Sequence, residues 1–175
     1  MKGGDYTLTQ VKSMSLIGIN GHLINVQVDV SNGIPTWDVV GLPDTSIKES
    51  KQRVYTALKN IGITLPSRKI IINLAPADLK KEGSIYDLPI AIGILCNLQI
   101  IPQKKLDSYM FIGELSLDGS LNKINGVLPM CIEAHNQGIK KVIIPYENRF
   151  EGALVKDLDI YPVKNINQII NHFNS

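Results

Sequence analysis

A chain of 175 residues is long enough to bury one domain's core without help from disulfides or metal. With 44% apolar and only 19% charged residues, the composition excludes a disordered chain, and no apolar stretch approaches the roughly 20 residues of a membrane-spanning helix. The net charge of +2 hides a division: Lys48, Lys51, Arg53, Lys59, Arg68, Lys69, Lys80 and Lys81 stand against Glu49 and Asp78 in one segment of balance +6, which leaves −4 for the remainder.

Residues 1–10 are polar and glycine-containing and read as a poorly ordered leader or cloning remnant, which leaves residues 11–175 as the domain. They lack the basic run and apolar core of a secretory signal, so a cytoplasmic chain is expected. Cys96 and Cys131 stand alone in apolar stretches without CxxC spacing, as reduced core thiols do.

In chain order, Ser15 to Ile19 and Leu23 to Val30 flank Asn20-Gly21, a dipeptide suited to a two-residue hairpin turn. Ile24, Val26, Val28 and Val30 alternate with polar residues, which predicts a strand wet on one face. Asn32-Gly33 marks a turn before a third strand, Thr36 to Val40. A helix follows Gly41-Leu42-Pro43, begun by a Ser46/Glu49 capping box or by Asp44 or Thr45 as cap, and ended by Gly62. Its apolar stripe is Ile47, Val54, Leu58 and Ile61, and its second stripe is Lys48, Lys51, Tyr55 and Lys59.

The β-branched run Ile70-Ile71-Ile72, within Arg68 to Leu74, predicts a central strand. Then comes NLAPADLKKEGSIYDLPIAIGIL, residues 73–95: a Pro-Ala-Asp turn, a lysine-rich loop, and a helix from Leu88 to Asn97 with Asp87 as N-cap. The unpaired N–H groups at such a helix start are where anions dock or nucleophiles are activated. Tyr109 to Leu117 reads as extended and turns at Asp118-Gly119. A helix from Gly126 to Asn136, a strand from Lys141 to Ile144, a strand from Asp159 to Val163 and a helix from Ile166 to Phe173 complete an α+β or α/β domain with a mixed sheet and about four helices.

The segments Ser15-Leu16-Ile17-Gly18, Val28 to Gly33, Val40-Gly41-Leu42-Pro43-Asp44, Asn73 to Asp78 and Asp87-Leu88-Pro89-Ile90-Ala91, in this order and spacing, closely resemble the N-terminal domain of the ComM/YifB family of magnesium-chelatase-like AAA+ ATPases. The resemblance covers Val11 to Ser175. Gly113-Glu114-Leu115, Asp118-Gly119 and the run from Ile139 to Asn148 look like the Lon protease domain and the C-terminal domain of RadA. The resemblance implies a ribosomal-protein-S5-domain-2-like fold of the Lon type. It also implies a longer parent with a downstream AAA+ module that uses ATP and Mg2+, a hexameric ring and a role in DNA branch migration and recombination. It does not imply magnesium insertion into porphyrin. No GxxxxGK[ST] phosphate loop occurs in the 175 residues, so no ATP hydrolysis is expected of them.

A Lon-type dyad pairs a serine with a lysine that must lose its proton. Aligned without gaps, the resemblance puts Asp87 at the serine position and Met130 at the lysine position, and neither side chain can take that role. Ser84 stands three residues early on the loop. Asp87 reads as an N-cap, or else as an acid catalyst if the fold brings Asp78 or Glu114 beside it. His22, His135 and His172 share no metal-ligand spacing, and Trp37 on its alternating strand reads as core. Lys48, Lys51, Arg53, Lys59, Lys80 and Lys81 suit phosphate neutralisation with Tyr55 as a stacking ring, and equally suit a solvated helix face.

The expected function is therefore a non-catalytic domain, without cofactor or metal of its own, that helps assemble a ring and guides DNA to the motor. The rivals are a purely structural oligomerisation module and a cryptic hydrolase built on Asp87 and Glu114.

Overall fold

The computed structural model describes residues 8–65 and 67–175. Residues 1–7 of the expected leader lie outside the described residues, while Thr9 and Gln10 already belong to a strand. That strand, β1 (Thr9–Ile17), pairs antiparallel with β2 (Asn20–Ser31) in a register running from Thr9↔Val28 to Ile17↔Asn20. The hairpin turn is thus at Gly18 and Ile19, two residues before the predicted Asn20-Gly21, because Gly18 supplies the left-handed φ of +63°. Gly21 is needed for another reason: a Cβ there would lie 2.7 Å from Cβ of Glu133. β1 begins six residues before the expected Ser15 and ends two before the expected Ile19; Thr9 and Ser13 break its apolar pattern although both are buried.

A seven-stranded sheet has the order β3-β4-β2-β1-β5-β8-β9, with β3 (Thr36–Val40), β4 (Lys69–Ala75), β5 (Tyr109–Phe111), β8 (Lys141–Pro145) and β9 (Asp159–Val163). β4 runs antiparallel to β2, while β3 on β4, β5 on β1, β8 on β5 and β9 on β8 are parallel, so the sheet is mixed as expected. The predicted extended run from Tyr109 to Leu117 breaks after β5. Gly113 instead donates to Ile85 O and accepts from Leu88 N, which turns the chain toward the next helix. The Asp118-Gly119 hairpin then joins two short strands, β6 (Glu114–Leu115) and β7 (Leu121–Asn122).

The helix predicted after Pro43 divides into α1 (Thr45–Lys48) and α2 (Ser50–Asn60). Asp44, one of the open choices, is the cap: its carboxylate accepts from Ile47 N at 2.9 Å. The remaining helices are α3 (Asp87–Asn97), α4 (Val127–Asn136), α5 (Arg149–Gly152) and α6 (Ile166–Asn174), so four helices exceed two turns. α2, α3 and α6 cover one face of the sheet over Ile24, Val26, Val28, Ile70 and Ile72, and every residue of α3 is buried. α4 packs on the opposite face over Met14, Met110, Val142 and Ile144, and α5 joins it there through Gly152 against Ile144 and Ile160. α4 also reaches the start of β2, where Gly21 lies against Glu133 and Leu23 packs on its cluster, so the second face is covered from there toward β9. The outward residues of β2, β4 and β3 are left partly open to solvent.

Candidate functional site

The two fully buried charged groups among the described residues, Lys81 and Asp87, lie just before and at the start of α3. A wholly apolar helix that starts with a carboxylate leaves that charge without water, so a partner has to come from elsewhere in the fold. α2 supplies it: Arg53 Nε donates to Asp87 Oδ2 at 2.6 Å and Nη2 donates to Oδ1 at 3.1 Å. Nη2 also donates to Ser46 O at 2.7 Å, and Leu115 N donates to Asp87 Oδ2 at 3.2 Å. Asp87 caps nothing, contrary to expectation, because α3 already begins at it and its oxygens are held sideways by the guanidinium fork. Burial pushes the Asp87 carboxyl up to about 6, against the opposing pull of Arg53.

Glu114 anchors an adjoining set. Ser84 Oγ donates to Glu114 Oε2, Asn122 Nδ2 donates to Oε1 at 2.8 Å, and Ser116 Oγ donates to Asn122 Oδ1 at 2.7 Å. The Ser84 bond first, then Asn122 and Arg53, hold the Glu114 carboxyl below its usual range, which makes it a weak base toward that same serine. Asp87 and Glu114 do share one electrostatic neighbourhood. Asp78 does not join them. It lines a separate cleft of about 430 Å³ with His22, Leu79, Glu133 and Gln137.

Lys81 has the least expected placement. It is 0% exposed, and its Nζ donates to Gly41 O at 2.8 Å and to Pro76 O. Lys81 N donates to Leu42 O at 3.1 Å, Asp44 N donates to Lys81 O at 3.1 Å, and Gly83 N donates to Asp44 Oδ2 at 3.0 Å. One lysine thus fastens the Gly41–Asp44 loop, the turn at Pro76 and the Lys80–Gly83 loop together. Desolvation lowers its ammonium below the ordinary lysine range, and nearby Asp78 opposes that shift.

The sequence-based cations divide into committed and exposed groups. Lys81 is caged by backbone carbonyls and Arg53 is committed to Asp87, so neither presents its charge to a polyanion. Lys48, Lys51, Lys59 and Lys80 remain exposed. Tyr55 is half-buried, its ring 5.4 Å from that of Trp37, with Lys51 Nζ 5.7 Å from its centroid. Trp37 packs at the margin of the larger core rather than within it. Met130 is fully buried among Met14, Met110 and Val127. His135 is exposed on α4, and His172 Nε2 lies 2.9 Å from Tyr109 Oη. Among the described residues no three His, Cys, Asp or Glu side chains gather as a metal site, and no helix is long and apolar enough to cross a membrane.

Sequence reasoning missed the Arg53–Asp87 pair and the Lys81 cage. The usable signal for the pair was an acid heading a helix with no polar face, which demands a buried cation.

A mixed α+β domain with a plugged helix start has clear relatives. The chain belongs to the family of the ChlI subunit of Mg-chelatase, whose model matches residues 26–148. Within that family its likeness is to the ComM and YifB proteins, magnesium-chelatase-like AAA+ proteins. It is 42% identical to YifB of Escherichia coli over 149 residues, 85% of this chain and 29% of the relative. It is 37% identical to the competence protein ComM of Haemophilus influenzae over 168 residues, 96% of this chain and 33% of the relative. Lon protease 2 of Bacillus subtilis is 30% identical over 181 residues, 92% of this chain and 32% of the relative. The chain spans about a third of the length of these curated relatives.

Proposed function

We propose that this chain is the non-catalytic, Lon-like N-terminal domain of a cytoplasmic ComM-type AAA+ ATPase, with the ribosomal-protein-S5-domain-2-like fold, and that it helps build a hexameric ring and guides DNA to the motor. The carrying observation is the state of Asp87. The position where a Lon-type site needs a free nucleophile holds a carboxylate that is 0% exposed and bound to Arg53 by two hydrogen bonds. Met130 sits in the apolar core where a base would be needed. ATP and Mg2+ belong to the AAA+ module expected in the parent. What this domain offers a polyanion is the exposed set Lys48, Lys51, Lys59 and Lys80, beside Tyr55.

Three or four such phosphate contacts give a log-log salt slope of roughly −2 to −4, so binding is sequence-independent and fades between low and physiological salt. Fluorescence anisotropy with labelled single-stranded and branched DNA tests this, comparing wild type with Lys48→Glu/Lys51→Glu/Lys59→Glu. Loss in the triple variant supports DNA guidance. Equal binding by both, or none by either in the full-length ring at low salt, leaves the purely structural oligomerisation reading. That second reading is favoured by the exposed apolar side chains at both ends of the sheet.

A further inference from the structure

The two edges of the sheet carry patches that none of the described residues covers. At the β9 end, Phe150 is 71% and Leu154 69% exposed. Beside them the Arg149 guanidinium stacks 4.0 Å from the Tyr146 ring and 4.4 Å from the Phe150 ring, and Lys164 Nζ lies 4.6 Å from Tyr146. Neither cation has a carboxylate partner, since Arg53–Asp87 is the one ion pair among the described residues. The neighbouring Glu151 is turned onto Asn148 at 2.9 Å. The aromatic faces hold both cations in place, so less side-chain entropy is lost when a partner docks.

At the β3 end, on the same face of the sheet, the register aligns Asp29 of β2, Ile71 of β4 and Asp38 of β3 in one row. Their neighbours Val28, Ile72 and Val39 point to the face covered by α2, α3 and α6, so this row lies on the α4 face, at the end of β2 away from Gly21 and outside the cluster under α4 and α5. Val40, 48% exposed, adds apolar surface beside it. The row is an apolar centre with a carboxylate on each side, and neither carboxylate has an ion-pair partner among the described residues. The first patch has an apolar centre beside the cations Arg149 and Lys164, with Glu147 exposed at its rim.

We infer that these two patches bind each other between copies of this chain: Phe150 and Leu154 of one copy pack on Ile71 and Val40 of the next, and Arg149 and Lys164 meet Asp29 and Asp38. Six strand spacings separate the two edges by about 29 Å. The contact is therefore heterologous, so repetition does not stop at a dimer, and the ring of the proposed function is its closed form. A second copy is preferred to nucleic acid as the occupant because both faces of charge are met within this chain: Tyr146 carries two cations on its ring, and the other row sets Asp29 and Asp38 on either side of Ile71, with exposed Lys69 two residues along β4. The inference rests on the ring-forming part of the proposed function and names the surface that performs it.

A charge swap tests it in sedimentation velocity on the 175-residue chain and on the full-length protein. One variant carries Arg149→Glu/Lys164→Glu and another Asp29→Lys/Asp38→Lys. Each alone is expected to lose self-association at least tenfold, while an equimolar mixture, or one chain with all four changes, regains it. Circular dichroism matches the folds. Phe150→Cys on one copy and Ile71→Cys on another should form a disulfide-linked dimer under mild oxidation, because native Cys96 and Cys131 are buried. Wild-type assembly that neither single-patch variant weakens overturns this interface but leaves the ring reading standing. Wild type that stays monomeric in both forms, with no trapped dimer, overturns both. Loss of oligonucleotide binding in Phe150→Ala, with assembly intact, would assign the patch to DNA and overturn the inference.

Discussion

Lys80 and Lys81 are chain neighbours with opposite roles. Lys80 extends into solvent, whereas Lys81 donates inward to two carbonyls and closes three loops on one another. The same division holds on α2, where Lys51 and Lys59 are exposed and Arg53 is locked onto Asp87. Charge on this domain thus comes in two kinds: groups whose loss leaves something buried and unpaired, and groups whose loss leaves only water. The first kind holds the fold together around the start of α3, and the second is available to partners.

Removing one member of the buried pair separates the two kinds of charge most strongly. Asp87→Ala should destabilise the domain by about 3–5 kcal/mol in urea titration, because Arg53 is left facing an apolar helix end. Arg53→Met/Asp87→Leu together should recover most of that loss. A double variant no better than the single would show that the pair is not coupled in this way.

The pH dependence of the same carboxylate sharpens the contrast. Burial raises Asp87 from 3.8 to about 6 in the fold, so its contribution is fully present below the unfolded value and is lost as pH rises through the folded one. At about 1.4 kcal/mol per unit this amounts to about 3 kcal/mol between pH 4 and pH 7, absent in Asp87→Asn. Glu114 has the opposite sign: its lowered carboxyl stabilises the fold above the unfolded value of 4.5, and that stabilisation fades as pH falls. Carboxyl NMR titration decides the first point. A midpoint below 4 for Asp87 would mean that the guanidinium outweighs desolvation.

How much of this was legible beforehand follows from the physics of each feature. The alternation in β2 and the continuous apolar run of α3 are local patterns, and the structure has both where the sequence puts them. β1 extends to Thr9, ahead of the strand expected from Ser15, because buried Thr9 and Ser13 look polar on paper, although Thr9 Oγ1 donates to Gly93 O at 3.0 Å across the core. The hairpin turn moved because Gly21 answers to a tertiary contact with α4 rather than to turn geometry. Arg53 and Asp87 are 34 residues apart, and Lys81 bonds carbonyls 40 and 5 residues away. No spacing rule links such partners, so lysines 80 and 81 were indistinguishable until the loops were placed. Family likeness was carried by short ordered motifs and was legible in full.

The Lys81 cage should matter less than the ion pair, because its partners are neutral carbonyls near the surface. Lys81→Met keeps the stem but leaves Gly41 O and Pro76 O without their donor, which should cost about 2 kcal/mol and loosen all three loops at once. Amide exchange should report that loosening at Lys81, Asp44 and Gly83, whose N–H groups cross-link the loops.

At the small end, Lys80→Met and the reversals Lys48→Glu on α1 and Lys51→Glu and Lys59→Glu on α2 should each shift stability by less than about 0.5 kcal/mol, since all four side chains are exposed. The buried stripe of Ile47, Val54, Ala57 and Leu58 keeps α1 and α2 seated whatever stands on the outer face. Lys51→Glu should have the largest effect of the four, because it removes the ammonium 5.7 Å from the Tyr55 ring. Thermal melts of the four single variants provide the measurement. A loss above about 1 kcal/mol in any of them would place that lysine with Lys81 and Arg53 among the groups that hold the fold, and would remove it from the surface available to DNA.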